Sequence, residues 1–190
     1  MTPSGIDLYW LPLGAGGHSI RWNGRLFEAV VALRERRTVR ELYHSALKVD
    51  IAQESYAIEM TPVWGAAGVD RGVVAEGPVG AAWAGRWRMF RYEVHSWRGG
   101  SIGDVAEAVA SPKRLTSDES TCRRLLRLLP TIPTPAWGRD ELGTGDMWNS
   151  NSVVSWALAR SGLDVMGIRP PTGGGAPGWD AGVIVERRGR

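Results

Sequence analysis

The sequence predicts an α+β domain in which an antiparallel sheet carries packed helices. Three observations predict it. Short apolar stretches with period-two alternation fill much of the first half of the chain, turn-forming residues separate them into hairpins, and the second half holds apolar residues at helical spacing. The 190 residues are the size of one ordinary domain, and a single domain over residues 1–190 is expected.

Ile6 to Leu13 reads as a strand ending in the turn-rich run Gly14 to Gly17. The runs starting at His18 and Arg25 flank Asn23-Gly24, whose tolerance of positive φ makes it a strong hairpin signal. Leu42 to Ile51 and Tyr56 to Val63 read as a second hairpin, with a polar turn near Gln53 to Ser55. A short strand is expected around Val73 to Ala75. Arg86 to Trp97 is then read as a half-buried strand, with Phe90, Tyr92 and Val94 inward and Arg91, Glu93 and His95 outward. Ser101 to Val109 and Asp118 to Leu129 are expected to be helices, the second with an acidic start and a stop at Pro130. Pro130 to Asp146 is too rich in proline and glycine for regular structure, and loops of that length are often functional. Asn149 N-caps a helix whose Val153, Val154, Ala157 and Leu158 face the core before Gly162 ends it. The tail is read as a loop around Trp179 and a last strand from Val183 to Glu186.

Composition bounds the chemistry. Cys122 is the single cysteine, so no internal disulfide forms, and its spacing with Leu125, Leu126 and Leu129 marks a core face. With three histidines, widely separated, no metal-ligand spacing exists, and neither a metal nor another cofactor is expected. The stretch before Pro12 has no basic start and no long apolar run, so no signal peptide or membrane span is expected, and the location read from this is cytoplasmic. Arg86, Arg88 and Arg91 alternate with Trp87, Phe90 and Tyr92, a mix able to stack bases and bind phosphates, but the strand reading explains it as well. A small-molecule or peptide substrate is the expected partner, ahead of nucleic acid.

Nucleophilic catalysis needs a nucleophile, a base within reach and a group that orients the base. His44 on the first strand of the second hairpin fits the base, Glu59 on the return strand fits the orienter, and Ser150 in the first turn of the Asn149-capped helix fits the nucleophile. A helix N-terminus favours an alkoxide and offers free N–H groups to an oxyanion, with Asn149 and Asn151 beside it as cap and donor. Serine and asparagine are also the preferred capping residues, so the run Asn-Ser-Asn-Ser has a purely structural explanation too. His18 is the alternative base, and Trp64, Trp137 and Trp148 lie in or next to the loops expected to build a substrate cleft.

These strings resemble the circularly permuted papain-like superfamily, including NlpC-type, lecithin:retinol acyltransferase-like and PPPDE-type proteins. YHSALKV at Tyr43 to Val49 is similar to that superfamily's histidine strand, and NSNSVV at Asn149 to Val154 to its nucleophile helix. The order, histidine first and nucleophile last, is the permuted one. The resemblance implies a permuted papain-like fold and places Ser150 where the superfamily carries cysteine. LPLGAGGH, YHSAL, WGRDELGTG and MWNSNS also resemble strings shared by a set of uncharacterised proteins of high-G+C bacteria, a likeness that implies no activity.

Two functions follow. One is a Ser-dependent hydrolase or acyltransferase acting on an amide, ester or thioester, with Ser150, His44 and Glu59 as its machinery. The other is a non-catalytic module on the same scaffold that binds a ligand or protein partner through the cleft or the arginine-rich strand.

Overall fold

The computed structural model describes residues 3–13, 41–63 and 71–189. Among these residues six strands form one antiparallel sheet in the order β4-β5-β3-β2-β1-β6. They are β1 Gly5–Pro12, β2 Tyr43–Ile51, β3 Glu54–Pro62, β4 Val73–Pro78, β5 Arg91–Arg98 and β6 Lys113–Thr116. Three α-helices follow, α1 Glu119–Leu128, α2 Ser150–Arg160 and α3 Trp179–Arg188. The α+β class with an antiparallel sheet and packed helices is therefore the observed one. The hairpin expected around Asn23-Gly24, the residues His18 and Trp64, and the first part of the glycine-rich stretch after Trp64 lie outside the described residues.

β2 and β3 form a tight hairpin because Ala52 and Gln53 both take positive φ, 47° and 71°, the turn geometry that matches the twist of antiparallel strands. Leu47 then opposes Ile58 and Val49 opposes Tyr56. Side chains alternate between faces, so this register sorts the strands into two layers. On the first face Ile6, Leu8, Trp10, Leu47, Val49, Ile58 and Val94 join the main core with Cys122, Leu125, Val154 and Leu158 from the helices. On the second face Leu11, Ala46 and Ala57 pack with Ile102 from the segment after β5, and Tyr9, Trp97 and Ala108 border them.

Four local readings change. The strand expected from Arg86 begins only at Arg91, because β4 and β5 pair from Val73 opposite His95 to Pro78 opposite Arg91, which makes residues 79–90 the connection. That connection folds into two 3-10 turns, Ala82–Arg86 and Arg88–Phe90, and it leaves Phe90 exposed rather than inward. The helix expected over Ser101 to Val109 is one 3-10 turn, Val105–Glu107. The segment serves the sheet instead: the Val109 N–H donates to the Trp10 carbonyl at 2.9 Å, and just beyond it the Ser111 side-chain Oγ accepts from the Trp10 N–H at 2.8 Å. β6 then continues this edge, held by a two-pronged bond from Arg114 to Asp7 at 2.6 and 3.0 Å. The strand expected at Val183 to Glu186 is part of α3, where Trp179, Val183 and Glu186 are buried at helical spacing. His95, expected outward in solvent, is buried at 4% exposure because the second face of the sheet is covered as well.

α2 and α3 lie side by side and parallel: Ser152 Oγ donates to the Gly178 carbonyl at the start of α3, and Arg160 at the end of α2 reaches the Gly189 carbonyl. The helices approach this closely because Gly182 has no side chain. A Cβ there would overlap the Ser152 carbonyl oxygen and the Ser155 hydroxyl. Gly182→Ala is therefore expected to lower stability by at least about 2 kcal/mol. Gly167→Ala, where a Cβ meets nothing within 4 Å, is expected to leave it unchanged. Equal melting temperatures for the two variants would overturn this account of the helix pair.

Candidate functional site

The first turn of α2 is built from the run Asn149 to Ser152. Asn149 is the N-cap: its side-chain oxygen accepts from the N–H groups of Asn151 and Ser152, and Ser152 Oγ returns the favour to the Asn149 N–H at 3.1 Å. The remaining polar atoms reach outward to two other segments. Asn151 Nδ2 donates to the Tyr43 carbonyl on β2 and to the Pro177 carbonyl before α3, each at 2.9 Å. Asn149 Nδ2 donates to Pro177 at 2.8 Å, and Ser155 Oγ to the Trp179 carbonyl at 2.7 Å. Asp146 closes the knot by accepting from the Gly178 N–H at 2.6 Å. Ser150 sits in this turn at 7% exposure and enters none of these bonds.

The expected partners of Ser150 lie elsewhere. Leu11 opposes His44, and Leu11 belongs to the second-face cluster, whereas Ser45 opposes Trp10 and faces the helices. Alternation thus puts the His44 ring on the face away from α2. Glu59 shares that second face, since Ile58 beside it is in the main core and Glu59 itself pairs with His95. His44 and Glu59 lie on one face, and the sheet separates both from Ser150. Trp148, expected to line a cleft, is 2% exposed in the main core. Trp137 is half-buried edge-on to Tyr92, with ring centroids 6.1 Å apart.

The second face gathers its own charged cluster. Asp104, on the segment that covers this face, acts on both His44 and Glu59. Burial lowers the His44 pKa to about 4, and the Asp104 charge opposes that shift. Burial raises the Glu59 pKa to about 7; the Gly103 N–H, donating to its Oε1 at 3.0 Å, pulls it back, Asp104 pushes it further up and Arg71 lowers it. His95 Nε2 is 2.9 Å from Glu93 Oε2 on the same strand. Near neutral pH the His44 ring is therefore uncharged, and the Glu59 carboxyl is shared between its two protonation states. Asp104 was not singled out by sequence, because it lies in a segment read as a helix. No group of histidine, cysteine or carboxylate side chains among the described residues is arranged to hold a metal.

Two further surfaces are exposed elsewhere on the molecule. A shallow groove of about 530 Å³ lies between the β2–β3 turn and α1, lined by Ile51, Tyr56, Leu126, Arg123 and Arg127. The connection between β4 and β5 displays Trp83 at 65%, Trp87 at 47%, Met89 at 67% and Phe90 at 43% exposure. Arg86 lies over the Trp87 ring, 5.1 Å from its centroid. The arginine–aromatic alternation was visible in the sequence, but its projection outward was not. No helix among the described residues is long and apolar enough to cross a membrane. No protein-family model matches the chain, and no curated protein or solved structure matches it.

The opposed shifts of His44 and Glu59 give a pH signature. Glu59 keeps its proton when folded up to about pH 7 but loses it near 4.5 when unfolded, so raising the pH between those values removes stability. His44 stays neutral when folded down to about pH 4 but takes up a proton below 6.5 when unfolded, so raising the pH over that range adds stability. The two offset each other between about pH 4.5 and 6.5. In Glu59→Gln only the His44 effect remains, and the melting temperature of that variant relative to the native chain is expected to climb by about 3 °C or more from pH 4.5 to 7. Parallel melting profiles across this range would show that Glu59 titrates as an ordinary surface carboxylate.

Proposed function

We propose that this chain is a non-catalytic binding module, on a scaffold whose order of elements resembles that of the permuted papain-like proteins. The observation that carries this reading is the separation of Ser150 from His44 and Glu59 by the sheet. A serine hydroxyl is a poor nucleophile without a base in hydrogen-bond reach. His95 shares the second face with His44, so the one histidine left for a Ser150-dependent hydrolase or acyltransferase is His18, outside the described residues. The side-chain nitrogens of Asn149 and Asn151 and the Ser152 hydroxyl are meanwhile engaged in tying α2 to β2 and α3, a structural duty that accounts for the run without catalysis.

A module of this kind needs a recognition surface, and the connection between β4 and β5 has the composition of one. Large apolar side chains are normally exposed singly, whereas Trp83, Trp87, Met89 and Phe90 are exposed together, interleaved with Arg86 and Arg88. Tryptophan and arginine are the residue types that most often anchor binding.

A fluorophosphonate that labels active serines separates this reading from the enzymatic one. The native chain is expected to remain unlabelled; labelling that disappears in Ser150→Ala would overturn the proposal. Asn149→Ala is expected to lower stability by about 1–2 kcal/mol through the lost cap, and Ser150→Ala to leave it nearly unchanged.

A further inference from the structure

We infer that the exposed turns between β4 and β5 dock this chain onto the surface of an anionic lipid bilayer. The inference rests on the binding-module reading and names the partner of its surface. Four observations carry it, namely exposure, backbone, ring geometry and charge.

The apolar side chains are exposed together. Trp83 stands on the first 3-10 turn, Met89 and Phe90 on the second and Trp87 between them, and they are 43% to 67% exposed. Four of the N–H groups here bond within the connection: Ala84 N–H to Ala81 O, Trp87 N–H to Ala84 O, Phe90 N–H to Trp87 O, and Val79 N–H to Phe90 O, at 2.8 to 3.0 Å. Peptide groups with their bonds already made enter an apolar interface at little cost. The rings are set edge to face, Trp83 to Trp87 at 85° and Trp87 to Phe90 at 74°. A single-stranded nucleic acid stacks successive bases on open ring faces, and here the rings are crossed, with Arg86 already lying over Trp87.

Charge completes the fit. Arg86 donates to the Trp83 carbonyl and Arg139 to the Gly80 carbonyl at the base of the turns, and among the described residues neither forms an ion pair with a carboxylate. Arg88 is exposed on the second turn. Tryptophan and phenylalanine settle at the headgroup level, where long arginine side chains reach anionic phosphates while their stems stay in apolar surroundings. The carboxylate on β4, Glu76, is paired to Arg91 at 3.2 Å.

The test is co-sedimentation of the full chain with vesicles of phosphatidylcholine alone and of phosphatidylcholine with phosphatidylglycerol, at low and high salt. Retention is expected on the anionic vesicles and is expected to fall as salt is added. Arg86→Gln and Arg88→Gln should each weaken binding about fivefold. Trp83→Ala with Met89→Ala should weaken it at least about tenfold at an unchanged melting temperature, since both side chains are exposed in the free protein. Failure to sediment with anionic vesicles would overturn the inference. So would retention that the two apolar substitutions leave intact. Binding to a single-stranded oligonucleotide, or concentration-dependent self-association, that these substitutions abolish while vesicles are not retained would assign the surface to those partners instead. Fluorophosphonate labelling of Ser150 sinks the binding-module reading whatever the vesicles do, and loss of vesicle binding without labelling sinks only the bilayer.

Discussion

The side-chain amide of Asn151 joins three elements of the architecture. Its two N–H bonds go to the Tyr43 carbonyl on β2 and to the Pro177 carbonyl before α3, so one group fixes the start of the central helix against both the sheet and its neighbouring helix. α2 is buried on all sides from Ser150 to Ala159, and a helix so enclosed must find protein partners for the polar atoms of its first turn. Asn149, Asn151, Ser152 and Ser155 are the supply for that demand. Replacing any of them by an apolar residue would strand a carbonyl or an N–H group inside the molecule, which costs more than the hydrogen bond itself contributes.

Because α2 is fixed in this way, the sheet has an assigned inner face, and everything on the strands is sorted by it. Large side chains such as Leu8, Leu47 and Ile58 fill the helix side. Small ones, Ala46 and Ala57, lie on the other side and let the segment after β5 come down onto the sheet through Ile102 and Gly103. Burial on this thinner side is enough to move a histidine and a carboxylate in opposite directions, because desolvation disfavours whichever form is charged.

The elements legible in the sequence are those whose signal is local. β1, the β2–β3 hairpin, α1 behind its Asp118 cap and α2 behind Asn149 all announce themselves by alternation, turn residues or capping side chains. The segment around Ser101 to Val109 and the tail were misread because their partners are distant: one lends its backbone to β1, and the other packs a glycine against α2. For the candidate site, sequence found residues on the right elements but not their relation. His44 and Ser45 differ by one position, and which of them faces α2 is decided by the packing of helices about a hundred residues further along the chain. Asp104 acts on His44 and Glu59 only through the covering segment, so no pattern along the chain announces it.

The parallel arrangement of α2 and α3 sets like poles side by side. Two aligned peptide macrodipoles repel, and the repulsion is greatest at their ends, where partial charges of the same sign face one another. The chain answers at both ends. Asp146 accepts from the Gly178 N–H, and Asp180 sits in the first turn of α3, so negative charge stands where two positive poles meet. At the opposite ends Arg160, Arg187 and Arg188 crowd the last turns, and Arg160 also lies 3.6 Å from the buried Glu186. The arginines near the end of the sequence thus serve as counter-charges for a pair of helices that would otherwise lie more favourably head to tail.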